Sequence, residues 1–143
     1  MERLAKAVNK PFVSGVAILK GSSILLAKRI EVCPINKTKI PYAGYWSVFT
    51  GSSEPNESPR QCAVREVFEE TKIKIKTKDL APVHVFQQEY RLFHLFCYRT
   101  HELITPSLNF EHTEYGWFDI NSLSGFTEKI DHNLIEVIKN KCT

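Results

Sequence analysis

Apolar and polar positions along this chain fall into short blocks with two different periods. Phe12–Leu19 and Ile24–Arg29 read as strands joined by a turn at Lys20-Gly21-Ser22, a hairpin. From about Ile30 to Gly44 the periodicity lapses, and Pro34, Pro41 and Gly44 mark a loop of a length that is usually functional. Tyr45–Thr50 returns to strand. Ser58, Pro59 and Gln61 then supply an N-cap, a first-position proline and the far half of a capping box, so a helix is predicted from Pro59 to about Thr71. On a wheel of ~100° per residue, Val64, Val67 and Phe68 form its apolar arc, with Glu66, Glu69 and Glu70 roughly opposite. Ile73 and Ile75 alternate with Lys72, Lys74, Lys76 and Lys78, which predicts a half-buried strand over Ile73–Lys76. Val83–Glu89 and Leu92–Tyr98 are strands around Tyr90-Arg91, and Glu114–Asp119 is the last. Asn121–Leu123 is a helical turn, and Asp131 caps a C-terminal helix that buries Leu134, Ile135 and Ile138. This order predicts an α/β chain, a mixed sheet with one helix on each side.

Composition narrows the class without naming a function. The 143 residues suffice for one domain, 1–143, with a real core. No apolar run approaches the ~20 residues of a membrane span, and Met1–Lys10 has no apolar core of a secretory signal. Cys33, Cys62, Cys97 and Cys142 are scattered, with no C-x-x-C, which fits reduced thiols and a cytoplasmic location. The five histidines show no H-E-x-x-H spacing, so zinc hydrolase chemistry has no support. A net charge of +3 mildly favours anionic ligands, and no basic stripe marks a nucleic-acid path.

Glu66, Glu69 and Glu70 carry the candidate chemistry. At i, i+3, i+4 they repel one another by a few tenths of a kcal/mol per pair, a cost that a divalent cation reverses. Oxygen-only ligation suits Mg²⁺ or Mn²⁺ rather than Zn²⁺. Taken alone, the three glutamates more often describe a solvated acidic face.

The surrounding residues change that balance. Gly51, Glu57, Arg65, Glu66, Val67, Glu69, Glu70 and Ile73 match the pattern G-x5-E-x7-R-E-U-x-E-E-x-G-U, where U is a bulky aliphatic; Lys72 stands at the closing glycine. The stretch resembles the signature of the Nudix hydrolases. Gly44-Tyr45-Trp46 before it and Glu111-His-Thr-Glu114-Tyr-Gly-Trp117 after it resemble the same family. The resemblance implies a Nudix-type α/β/α sandwich and hydrolysis of a nucleoside diphosphate linked to another group. It implies Glu66, Glu69 and Glu70 as metal ligands with the Gly51 carbonyl, Glu69 also serving catalysis, and Arg65 paired with Glu57 to hold the loop on the helix. An acid from outside the signature is expected before the last strand: Glu111, with Glu114 in reserve. Arg29 and nearby lysines are candidates for phosphate, and Tyr42, Tyr45 and Phe86 for stacking on a ring. Lys72 is expected to cost roughly 1 kcal/mol in a left-handed helix end. Thr50-Gly51-Ser52 and the non-glycine close resemble a bacterial branch, the dihydroneopterin triphosphate pyrophosphatases, which tilts the substrate toward a nucleoside or pterin triphosphate. ADP-ribose, nucleotide sugars and dinucleoside polyphosphates remain open, as does a non-catalytic nucleotide-binding module. The resemblance adds a homodimer as a common state and no membrane partner.

Overall fold

The computed structural model describes residues 10–32, 34, 35, 37 and 42–142. Cys33, Pro41 and Met1–Asn9 lie outside them, so the expected loop from Ile30 to Gly44 is described only in part. The elements are β1 (Val13–Lys20), β2 (Ser23–Arg29), β3 (Trp46–Ser47), β4 (Phe49–Ser52), α1 (Pro59–Thr71), β5 (Ala81–Gln87), β6 (Leu92–Arg99), β7 (His112–Asp119) and α2 (His132–Cys142). Short 3-10 turns lie at Thr77–Asp79 and Ile120–Gly125. None of the described helices is long and apolar enough to cross a membrane.

β1 is central because both of its faces are apolar. Val16 and Ile18 face one cluster with Ala63 and Val67 of α1. Ala17 and Leu19 face another with Leu134, Ile135 and Ile138 of α2. That two-sided burial is what a strand covered by a helix on each face requires, and it makes the expected α/β/α sandwich. β1 runs parallel to β6 on one edge, from Val13↔Phe93 to Leu19↔Arg99. On its other edge it pairs with β2 only near the turn (Ile18↔Leu25) and with β4 near its start (Val13↔Ser52). β1 and β2 therefore diverge, and the chain from Trp46 to Ser52 fills the gap. Trp46 and Ser47 pair with β2, and Phe49 to Ser52 pair with β1. The single strand expected over Tyr45–Thr50 is divided at the buried Val48 because its hydrogen-bonding partner changes there.

The strand expected over Ile73–Lys76 does not form. The alternation is real, with Ile73 and Ile75 buried and Lys72, Lys74 and Lys76 exposed, but no neighbouring strand offers a ladder. The segment is extended chain packed into the α1-side cluster. Arg60 ties down the 3-10 turn after it, donating to the Thr77 and Leu80 carbonyls at 3.0 and 2.7 Å. At one edge of the sheet, β5 pairs only with β6 among the described residues, and its register shifts between Pro82 and His84.

α1 begins and ends as its sequence dictates. Ser58 accepts from the Gln61 N–H, and the Gln61 side chain accepts from the Ser58 N–H, a complete capping box. The Ser14 hydroxyl, buried on β1, donates to the Pro59 carbonyl at 2.8 Å and fixes the helix start to the sheet. Lys72 closes the helix at φ 64°, ψ 12°, its N–H on the Phe68 carbonyl. This is the left-handed position that favours glycine. Lys72→Gly is therefore expected to raise stability by about 0.5–1 kcal/mol, less whatever the Lys72 ammonium, 5.1 Å from the Phe68 ring centre, contributes. Urea unfolding at constant m checks this; a lower midpoint contradicts it.

Candidate active site

α1 meets the sheet through an arc rotated from the one its apolar residues predict. Cys62, Ala63, Val67, Glu70 and Thr71 are buried, whereas Phe68 is 38 % exposed, with the Lys72 and Lys74 ammoniums over its ring. On the helical wheel this buried arc centres on Ala63 and Glu70. The solvated acidic face is thereby excluded: the Glu70 side chain is 1 % exposed and that of Glu66 13 %, against 50 % for Glu69.

β4 brings Gly51 beneath Glu66. A Cβ added to Gly51 would fall inside the Glu66 carboxylate, so only glycine permits this approach. The Gly51 carbonyl accepts from the Cys62 thiol at 3.6 Å. Arg65 binds Glu57 through both oxygens (Nε 2.6 Å, Nη2 3.0 Å), the Ser52 carbonyl through Nη2 (2.9 Å), and Glu66 and Glu69 through Nη1 (3.0 and 3.2 Å). The expected loop-to-helix pair and the surface i, i+4 pair thus coexist on one guanidinium. Its hydrogen bonds hold the Glu57 carboxyl below its ordinary pKa.

The remaining acid arrives on β7. The β2–β7 register shifts between Lys28 and Arg29, so Lys28 faces Glu114 while Arg29 faces His112. The extra residue re-aims the strand: His112 is buried, and Thr113, Glu114 and Tyr115 are exposed. Glu111 is held by its backbone, its N–H on the Asn109 side chain (3.0 Å) and its carbonyl accepting from the Ile30 N–H (2.8 Å). The preceding loop is strapped to the end of α1 by the Ser107 N–H on the Thr71 carbonyl (2.8 Å) and the Asn109 N–H on that of Glu70 (3.3 Å). Ligand atoms of Glu70, Glu111 and His112 lie within 4.8 Å of one another. Glu114, the reserve, points to solvent beside Lys28 at 3.8 Å.

These residues border a cleft of about 540 Å³ lined by Arg29, Thr50, Gly51, Ser52, Glu66 and Glu111, a size that suits a small ligand. Tyr42, Tyr45 and Phe86 line its aromatic part, together with Asp131 and Arg91. Tyr42 is held at φ 56°, its ring 5.5 Å from that of Tyr45 and nearly perpendicular to it. Of the predicted residues, the structure gathers Gly51, Glu66, Glu111 and Arg29 at this cleft, with Glu70 buried behind Glu66 and Glu111. Glu69 and Glu57 lie beside it on Arg65, and Glu114 lies apart.

The electrostatics are those of a site built for a cation. Burial, reinforced by the Glu111 charge and by Glu66, pushes the Glu70 carboxyl up to about 10. Burial also raises Glu66. His112 is pushed down to about 4 by burial and by Arg29, so it is neutral. Both Glu70 oxygens and both His112 ring nitrogens are buried without a hydrogen-bond partner, and their closest approach is 3.8 Å. Orphaned carboxylate oxygens beside two further carboxylates fit an oxygen-loving divalent ion. His112 is absent from the predicted site although it stands in the Glu111–Trp117 pattern; only the register shift turns it inward. Arg91, in the β5–β6 turn, carries no local signal of a role.

A family model described as the NUDIX domain matches residues 10–140. The chain belongs to the Nudix family. With the family comes the reaction class, hydrolysis of a pyrophosphate bond. Two solved structures show the same fold. A MutT Nudix hydrolase from Burkholderia pseudomallei has a TM-score of 0.68 at 20 % identity, covering 94 % of this chain and 98 % of its own. A bifunctional NMN adenylyltransferase/ADP ribose pyrophosphatase from Francisella tularensis, complexed with AMP and a Mn ion, has a TM-score of 0.74 at 17 % identity, covering 99 % of this Nudix chain and 45 % of that protein. A curated protein named octanoyltransferase, from Myxococcus xanthus, is 35 % identical over 75 residues, half of this chain. The match spans only 18 % of that protein, too little to carry its name across.

Proposed function

We propose that this Nudix chain is a divalent-metal-dependent pyrophosphohydrolase that cleaves a nucleoside or pterin triphosphate to the monophosphate and pyrophosphate, with residues 1–143 acting as one catalytic domain. The observation that carries the metal part is the buried Glu70 carboxyl packed against Glu66 and Glu111, two acids that line the cleft. In this reading Glu66 and Glu70, with the Gly51 carbonyl and Glu69, hold Mg²⁺ or Mn²⁺. When bound, the ion neutralises phosphate charge and lowers the pKa of the attacking water. The water oxygen bonds to one phosphorus, the bond from that phosphorus to the bridging oxygen breaks, and the bridging oxygen leaves with the electron pair. Glu111 takes the proton that the water loses, Arg29 steadies phosphate, and Arg65 with Glu57 keeps the Gly51–Glu57 loop on the helix.

The triphosphate rests on the Thr50-Gly51-Ser52 lead-in and the Lys72 close, with the Tyr42, Tyr45 and Phe86 rings offering a stacking place for one flat ring, worth ~1–3 kcal/mol. The test is a substrate panel with Mg²⁺ in which pyrophosphate, phosphate and monophosphate are detected separately. A tenfold or greater preference in kcat/KM for a triphosphate, with one pyrophosphate per turnover, is the expected result. Preference for ADP-ribose, a nucleotide sugar or a dinucleoside tetraphosphate without pyrophosphate release moves the substrate to that class. Tight nucleotide binding with no turnover of any compound makes the chain a binding module.

A further inference from the structure

The cations at the cleft are not equivalent. Arg65 is spent, with every nitrogen of its guanidinium engaged by Glu57, Glu66, Glu69 or the Ser52 carbonyl. It has no donor to spare for a ligand. Arg91 is the opposite case. It stands in the turn between β5 and β6, only partly buried, and lines the cleft. Its Nη1 donates to the Ser52 hydroxyl at 2.8 Å, a neutral partner. Among the described residues no carboxylate comes within ion-pair distance of it, although Glu66, Glu111 and Asp131 line the same cleft. Four of its five N–H donors are therefore uncommitted.

The Ser52 contact also says where this charge sits. Ser52 follows Gly51, which touches the Glu66 carboxylate, and its carbonyl takes Arg65. Arg91 thus sits at the end of β4 and lines the same cleft as Glu66 and Arg29, the latter placed by β2 beside Glu70 and His112. A planar fork with free donors, lining the cleft that Glu66 and Glu111 also line, matches the oxygens of a phosphate group bidentately.

We propose that Arg91 is the clamp for the terminal phosphates, the group that the proposed triphosphate reaction makes the leaving pyrophosphate. A triphosphate offers this arginine a chain end bearing extra charge. A diphosphate whose far side carries a sugar or a second nucleoside presents a bulkier and less charged group at the same place. Arg91 then discriminates between these classes, while Ser52 holds its side chain ready in the free enzyme.

The inference rests on the triphosphate reading for its role in turnover but not for its binding chemistry, so two measurements separate them. Calorimetric titration with inorganic pyrophosphate and with dAMP, each in Mg²⁺, is made on the wild-type chain, Arg91→Ala and Arg91→Lys. The expected result is a loss of pyrophosphate affinity of tenfold or more in Arg91→Ala, a smaller loss in Arg91→Lys, which keeps the charge but not the fork, and dAMP affinity within twofold throughout. Pyrophosphate affinity within twofold of wild type in Arg91→Ala, or an equal loss for dAMP, overturns the clamp. Unchanged thermal midpoints show that the variants are folded, as an exposed turn leads one to expect. The same variants are then assayed on the preferred triphosphate, where kcat/KM should fall 10–100-fold. Wild-type turnover of triphosphates with Arg91→Ala undiminished leaves the proposed reaction standing and removes the clamp. Arg91-dependent pyrophosphate binding without triphosphate turnover does the reverse.

Discussion

Glu70→Gln is expected to lower kcat by at least 10³ and, at the same time, to make the metal-free protein more stable. The two effects have one cause. Glu70 is buried and lies beside Glu111 and Glu66, to which its protonated form donates. Its neutral form is favoured, and its pKa moves from 4.5 to about 10. The unfolded chain ionises this group near 4.5, while the metal-free fold keeps it protonated, so the fold binds the extra proton and stability declines as pH rises across that window. A glutamine carries no such dependence. At neutral pH the substitution should raise metal-free stability by roughly 1–2 kcal/mol, several degrees in Tm. If Glu70 is a metal ligand as proposed, binding demands the charged carboxylate, so in wild type Mg²⁺ or Mn²⁺ should expel a proton, bind more tightly as pH rises, and raise Tm by mass action. Melting curves with EDTA and with metal, at pH 6 and pH 8, show both halves. A variant with full activity, or one whose Tm still climbs with metal as in wild type, removes Glu70 from the metal site. A lost metal ligand costs several kcal/mol of transition-state stabilisation, consistent with the rate effect.

Glu111→Gln should lower kcat by ~10²–10⁴ with little change in KM, whereas Glu114→Gln should leave both within twofold. The contrast follows from the register shift at Lys28/Arg29, which sends Glu114 out to an exposed pair with Lys28, an interaction worth ~0–1 kcal/mol. Glu111 stays at the cleft with its backbone tied on both sides. Metal affinity tells what it does there. An unchanged Mn²⁺ dissociation constant in Glu111→Gln assigns it to the water; a tenfold weaker one makes it a ligand. A crippled Glu114→Gln beside an active Glu111→Gln reverses the assignment.

Most of the architecture was legible because its signals are local. The capping box, the left-handed close at Lys72, the β1–β2 turn and the Asp131 cap, which accepts from the Leu134 N–H at 3.1 Å, each depend on neighbours in sequence. What escaped depends on distant chain. Ile73 and Ile75 alternate as a strand does, yet no strand edge is available to them. Phe68 looks like core, but the small Cys62 and Ala63 let α1 settle on the side that carries Glu70. That rotation buries one acid of a plain acidic stripe, and no helical wheel contains it. His112 and Arg91 were silent for a related reason: one is turned inward by a bulge, the other is delivered by a hairpin tip.

The register shift at Pro82 on β5 has a consequence for behaviour at high concentration. Among the described residues β5 is one margin of the sheet, and an open margin is a template on which a second chain can add a strand. Pro82 has no N–H to offer such a chain, and the irregularity beside it breaks the even spacing that an incoming strand needs. This margin therefore resists runaway cross-β assembly, and any self-association of the native protein is steered to its other surfaces.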